Sequence, residues 1–365
     1  MNRLAWLLLS GAVFWGLGSN AVSGQGTVKK TKYKLLPPPG IELDADVKDR
    51  LTARVDALQR AIEAADVQDR DWRPHVEVFT TAVRRAIDQR LFYKPDHASK
   101  ADALLDEADR RLRMALAGKR GLELIGFDVS KNDQPQPVAG GFRSRIDDSI
   151  QPFGLVLPVG YEVDGEPTTV TRLDVWLHGR GDTKAEGPFL LERMSKQGEY
   201  APEGVVMLHP FGRHCNAFKF AGETDVMEAI DAAQRILGLS DDQSNLVSVR
   251  GFSMGGAGCW HLGVHHPGQW FGVNPGAGFV DTLVYQGWNE SPPFPLDPVQ
   301  RKLLNWYDVL PYVGNLKNTR VVAYSGEVDK QKQAADRVMA ASKQRGFDWP
   351  YVIGEGMGHK INAPS

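Results

Sequence analysis

Residues 245–256 read Asn-Leu-Val-Ser-Val-Arg-Gly-Phe-Ser-Met-Gly-Gly. A β-rich run of Leu246, Val247 and Val249 leads into Gly251-Phe252-Ser253-Met254-Gly255, and an apolar stretch of helical length follows. Strand, tight turn and helix in that order are the setting a nucleophile elbow requires. A side chain two residues before or two after the serine would collide with the neighbouring strand or helix, so both positions call for glycine. Ser253 is therefore expected to present its hydroxyl at the end of a sheet.

The rest of the chain supplies that sheet. Residues 1–24 carry Arg3, a nearly unbroken apolar run at residues 4–17 and the small residues Ser19-Asn20-Ala21, the pattern of a secretory signal peptide. The alternative, a membrane anchor formed by residues 4–17, requires an apolar core longer than this one. The mature chain is thus expected to have no membrane span and to be secreted or periplasmic. Residues 25–40, ending in Pro37-Pro38-Pro39-Gly40, read as a tether. Helical periodicity then places Val47, Leu51, Val55, Leu58 and Ile62 on one face, Val76, Phe79, Val83 and Ile87 on a second, and Ala101, Leu104, Leu105, Ala108, Leu112 and Ala115 on a third. Three packed helices over residues 41–120 follow.

Residues 134–141, rich in Gly and Pro, read as a linker, and beyond them the period changes. Strands are expected at residues 142–146, 152–158, 169–177, 204–208, 246–249, 271–274, 320–324 and 350–353. Helices alternate with the later ones, over residues 225–237, 254–266 and 330–344. Alternating βα units mean a mostly parallel, doubly wound sheet covered on both faces. With antiparallel strands at its start, residues 140–365 fit an α/β-hydrolase fold, preceded by the small helical region.

Serine is a poor nucleophile at neutral pH, so Ser253 needs a base and a group that orients the base. In this fold the chain order is nucleophile, acid, histidine. Of nine histidines, only His261, His265, His266 and His359 follow Ser253. The first three leave the elbow on its own helix, so His359, in the loop Gly354-Glu355-Gly356-Met357-Gly358-His359, is the expected base. The acid belongs after the strand that ends at Tyr324, where both Glu327 and Asp329 stand; Asp329, five residues beyond the strand end, is preferred. Oxyanion donors are expected from the backbone N–H of Met254 and, in the turn His178-Gly179-Arg180-Gly181-Asp182, from that of Arg180 or else Gly179.

These stretches, together with residues 223–230 (Glu-Thr-Asp-Val-Met-Glu-Ala-Ile), resemble the secreted α/β-hydrolases with a prolyl oligopeptidase-type catalytic domain. Those are similar in turn to polyhydroxybutyrate depolymerases and feruloyl esterases. The resemblance covers about residues 140–362 and implies a serine hydrolase acting through an acyl-enzyme. There are two departures. Prolyl oligopeptidases carry a β-propeller that some 120 mostly helical residues cannot build. The acid loop has Tyr324-Ser325 where the family often has His-Gly, which leaves Glu327 and Asp329 both open.

Other readings are weaker. His261 and His265 stand at i, i+4 on a helix, but the glutamate of a zinc motif is missing, so packing histidines and no metal are expected. Asp225 followed by Glu228 resembles a capping box. No Gly-x-Gly-x-x-Gly follows a strand and there is no P-loop, so no cofactor is expected. A net charge of −2 gives no case for nucleic acid. Cys215 and Cys259 could pair or stay free. The aromatic-rich insertion at residues 276–315, with Tyr285, Trp288 and Trp306 foremost, is expected to wall a substrate pocket and to suit a sugar- or phenol-linked group. The function expected is cleavage of a carboxylic ester; a peptide bond is the alternative, and a catalytically inactive binding module a third.

Overall fold

The computed structural model describes residues 35–67, 70–162, 172–239, 246–288 and 295–362. The leader at residues 1–24, the anchor alternative at residues 4–17, the first part of the tether and the start of the strand expected at residues 169–177 lie outside the described residues. Among the described residues no helix is long and apolar enough to cross a membrane.

Three helices open the described chain: α1 (Ala45–Ala64), α2 (Arg73–Asp88) and α3 (His97–Leu116), followed by the single turn α4 (Gly121–Ile125). Most of the periodic residues are buried: Leu51, Val55 and Ile62 on α1, with Val47 and Leu58 of that face only partly so; Val76, Phe79, Val83 and Ile87 on α2, joined by Val78, Thr80 and Ala82; Ala101, Leu104, Leu105, Ala108, Leu112 and Ala115 on α3, joined by Arg111. The core they make does not close on itself. Ala139, Ile150 and Leu190, from the sheet and a later helix, complete it.

Arg111 ties this helical region down from inside. It is fully buried on α3 and donates to the carbonyls of Ala139 (2.7 Å), His75 (3.2 Å) and Ile125 (2.9 Å), while its Nε meets Glu107 at 2.6 Å. Burial lowers its pKa to about 10, so it stays charged at neutral pH. Arg111→Met keeps the bulk but strips those carbonyls of their charged donor, while Glu107 keeps only Arg110, at 2.7 Å. It is expected to cost about 3–5 kcal/mol of stability, measured as a lower denaturant midpoint. A loss below about 1 kcal/mol would show that the site is only a packing position.

The sheet begins earlier than its sequence suggests. β1 (Gln136–Arg143) is an edge strand paired antiparallel with β2 (Ile150–Leu157), so residues 134–141 are not a linker. Their glycines serve close approach rather than flexibility. A Cβ on Gly140 would stand 2.8 Å from the Phe153 ring and 2.9 Å from His75 Nδ1, and one on Gly141 would fall on Pro74 and Val78 of α2. Pro137 is tolerated because β1 has no neighbour on its outer side.

From β2 the sheet runs through β4 (Val205–Pro210), β3 (Arg172–Leu177), β5 (Val247–Phe252), β6 (Gly272–Gly276), β8 (Ala323–Gly326) and β9 (Tyr351–Gly354), with the two-residue β7 (Arg320–Val321) also on β6. β2 meets β4 antiparallel, and every later pairing is parallel. The helices are α5 (Glu186–Arg193), α6 (Ala221–Leu237), α7 (Met254–His265), the short α8 (Thr282–Gln286) and α9 (Pro298–Leu304), and α10 (Lys332–Gln344). This is the α/β-hydrolase fold. α5 is not among the helices expected from the sequence, and it contains Gly187 and Pro188. Both fall in its first turn, where proline is allowed.

Asp225 and Glu228 are not a capping box. α6 starts at Ala221, so both lie inside it, and each holds an arginine from elsewhere. Asp225 meets Arg213 Nε at 3.0 Å, and Glu228 meets the backbone N and the Nε of Arg145 at 3.0 and 3.1 Å. Cys215 and Cys259 are both free thiols.

Candidate active site

β5 lies between β3 and β6 in the middle of the sheet and delivers Ser253 at its carboxyl end. Ser253 has φ 59° and ψ −118°, a strained conformation for a residue with a side chain, and its N–H donates to Gly276 O at 2.9 Å. The strain persists because the turn has nowhere else to go. A Cβ on Gly255 would fall on Leu177 O of β3, and one on Gly251 would meet the carbonyl of Gly255. Only glycine at both positions lets α7 leave so close to β3.

His359 Nε2 lies 2.8 Å from Ser253 Oγ, and its Nδ1 lies 2.8 Å from Asp329 Oδ2. The carboxylate accepts from Nδ1–H, which puts the imidazole proton on that nitrogen and leaves Nε2 to accept from the serine hydroxyl. The Asp329 side chain is 3% exposed and that of His359 43%, so the carboxylate is shielded while the imidazole faces the opening. Oδ1 of Asp329 also accepts from Gln331 N at 2.9 Å, fixing the carboxylate's rotamer. Phe252 lies beneath the imidazole, ring centroids 4.9 Å apart.

The loops that carry the acid and the histidine are fastened to each other. Glu327 N donates to Gly354 O at 2.9 Å and Val328 N to Met357 O at 3.0 Å, while Gly356 N donates to the Glu327 carboxylate at 2.8 Å. Glu327, the other carboxylate open in the sequence, therefore braces the histidine loop and does not touch the imidazole. Beyond His359, Tyr324 Oη donates to Lys360 O at 2.7 Å and ties that segment to β8.

Ser253, His359 and Asp329 open into one cavity of about 670 Å³, which Met254 and Arg180 also line. Arg180's side chain is held by Asp182 at 2.6 Å. Tyr285 lines the cavity and stacks on Phe279, ring centroids 3.9 Å apart. Trp288 and Trp306 do not line it, and Trp306 is 64% exposed. The richness of the insertion in aromatics was a compositional signal, and composition cannot tell which rings turn inward. Conversely, Cys215, Asn216 and Lys219 in the loop before α6 line the cavity unanticipated. Their only sequence signal is position, after a strand whose carboxyl end faces the elbow.

His261 and His265 pack among protein groups. His261 Nε2 faces Ala217 O at 3.1 Å, and both rings pack against Tyr307. Among the described residues no cluster of three or more His, Cys, Asp or Glu is placed to hold a metal ion.

The class that fold and site define is an α/β-hydrolase-fold protein with a serine, a histidine and an aspartate joined in one hydrogen-bonded chain. No family model matches the sequence, and no curated protein matches it. Solved structures that resemble it include a Bacteroides ovatus protein described as a candidate dipeptidyl aminopeptidase IV, at 13% identity and TM-score 0.46 over 63% of this chain. A ferulic acid esterase matches at 18% identity and TM-score 0.44 over 62% of this chain and 92% of its own. A puromycin-hydrolyzing peptidase of Mycobacterium tuberculosis matches at 16% identity and TM-score 0.44 over 62% of this chain. The chain spans 33% of the length of the first of these and 37% of the last.

Proposed function

We propose that the protein is a serine hydrolase that cleaves a carboxylic ester through an acyl-enzyme. The observation that carries this reading is the unbroken chain Asp329 Oδ2, His359 Nδ1, His359 Nε2, Ser253 Oγ, with both links at 2.8 Å. Ser253 Oγ attacks the ester carbonyl as its proton passes to Nε2, and the resulting imidazolium is stabilised by the buried carboxylate. The carbonyl oxygen becomes an oxyanion, for which the N–H groups of Met254 and Arg180 are the assigned donors. Collapse of the tetrahedral intermediate breaks the C–O bond. The departing alkoxide takes the proton from Nε2, leaving Ser253 acylated. Water then enters, gives a proton to Nε2 as its oxygen adds to the acyl carbon, and collapse of this second tetrahedral intermediate breaks the bond to Ser253 Oγ, which takes the proton back from Nε2 as the acid leaves. No step calls on a cofactor.

In this reading residues 140–365 carry the chemistry, residues 41–120 buttress the sheet from its edge, and the apolar leader exports the enzyme. The first test is covalent labelling by a fluorophosphonate probe, followed by turnover of p-nitrophenyl esters against proline-containing peptide amides. Labelling at Ser253 with ester turnover at least about a hundredfold above amide turnover, in kcat/KM, is the expected result. Amide turnover equal to or above ester turnover would make the protein a peptidase with the same three residues. No labelling and no turnover would leave it a binding module.

A further inference from the structure

The cavity contains a cation that the fold does not neutralise. Lys219 lies in the loop between β4 and α6 and lines the same cavity as Ser253. Its ammonium stands 5.3 Å from the Phe279 ring centroid and 5.4 Å from that of Tyr307, within the range at which ring faces hold a cation. Among the described residues no carboxylate forms an ion pair with it. Asp308, whose charge it feels, is instead engaged by Thr282 N and Oγ1 at 2.9 and 3.1 Å. Of the other charges on the wall, Arg180 is paired with Asp182 and Asp329 with His359. Lys330, exposed on the rim, adds a second positive charge.

The surroundings of Lys219 are fixed in advance. Tyr307 Oη accepts from Phe220 N at 2.7 Å and donates to Glu223 at 3.0 Å, so its ring cannot turn away. Phe279 is held by its stacking on Tyr285. The loop itself takes positive φ at Arg213, His214, Ala217, Phe218 and Phe220, a concentration of strained backbone characteristic of functional loops. Arg213 clamps its start through Asp147, Ser144 and Asp225. Burial lowers the lysine's pKa, with Asp308 opposing. A preorganised ammonium short of both water and counter-ion gains most from a ligand that brings its own negative charge.

We propose that Lys219 determines specificity by binding a carboxylate that the substrate carries apart from its scissile bond, so that the preferred substrates are anionic esters. The inference rests on reading the cavity as an ester-hydrolase site. The test compares p-nitrophenyl hydrogen adipate with p-nitrophenyl hexanoate, matched in length and differing in charge, as a ratio of kcat/KM. The wild type is expected to favour the adipate by about tenfold or more. Lys219→Met is expected to lower that ratio by about ten- to thirtyfold, mainly through KM, and Lys219→Arg to restore most of it. Lys219→Glu should invert the preference. A ratio unchanged between wild type and Lys219→Met would overturn the proposal. If neither ester is turned over and no probe labels Ser253, the hydrolase reading fails on its own, and calorimetry with benzoate against benzamide still reads the anion site. Benzoate binding lost in Lys219→Met would uphold the site, and equal heats for both compounds and both proteins would overturn it.

Discussion

Ser253→Ala is expected to lower kcat by roughly 10⁴- to 10⁶-fold and to abolish fluorophosphonate labelling. The size of the effect follows from the order of events: without Oγ there is no acyl-enzyme, and the imidazole has no hydroxyl to deprotonate. Stability should stay within about 0.5 kcal/mol of the wild type. The hydroxyl makes its hydrogen bond to a half-exposed histidine, and the φ of 59° costs alanine as much as serine. Circular dichroism and denaturant midpoint check the fold, and burst kinetics with a p-nitrophenyl ester check the chemistry. Turnover or labelling that survives the substitution would remove Ser253 from the role.

The second large effect separates two carboxylates that stand two residues apart. Asp329→Asn is expected to cost about 10⁴-fold in kcat, because an amide can donate to Nδ1 and stabilise the tautomer that turns N–H toward the serine. The carbonyl oxygen of the introduced amide would still accept from Gln331 N, so the loop should keep its shape. Glu327→Gln is expected to cost less than about tenfold, since the amide oxygen can still accept from Gly356 N and hold the histidine loop. Glu327 touches that loop's backbone, whereas Asp329 touches the imidazole. Should Glu327→Gln prove the more damaging of the two, the assignment of the acid is reversed.

What could be read from the sequence divides along physical range. The elbow was legible because its demands are local: a strand, a serine on a strained turn, and glycines where Cβ atoms would strike β3 or the turn itself. His359 emerged from chain order, since a histidine on the elbow's own helix points away from the turn. The stripes on α1, α2 and α3 were legible because a 3.6-residue period survives whatever the helix packs against.

Other features depended on contacts between segments far apart in the chain. Gly140 and Gly141 have the composition of a linker, and only the approach of α2 to β1 makes them strand residues. Glu327 and Asp329 are both acids in one short loop. Which one meets the imidazole was decided when Glu327 was captured by Gly356 N, an attachment across 29 residues. Trp288 and Trp306 looked as suitable as Tyr285 because side-chain type says nothing about which way an insertion folds over a sheet. Lys219 has no motif of its own. It becomes a cavity cation because β4, parallel to β5 and one strand removed from it, ends on the elbow's side of the sheet, and because Phe279 and Tyr307, sixty and eighty-eight positions further on, close around it. The nucleophile's turn, the helical periods and the order of the chemical groups were thus written in the chain itself, since steric and hydrogen-bonding rules set them within a few residues. Which acid, which aromatics and which cation face the serine was left to folding, because burial and pairing are properties of neighbours that the chain brings together only in three dimensions.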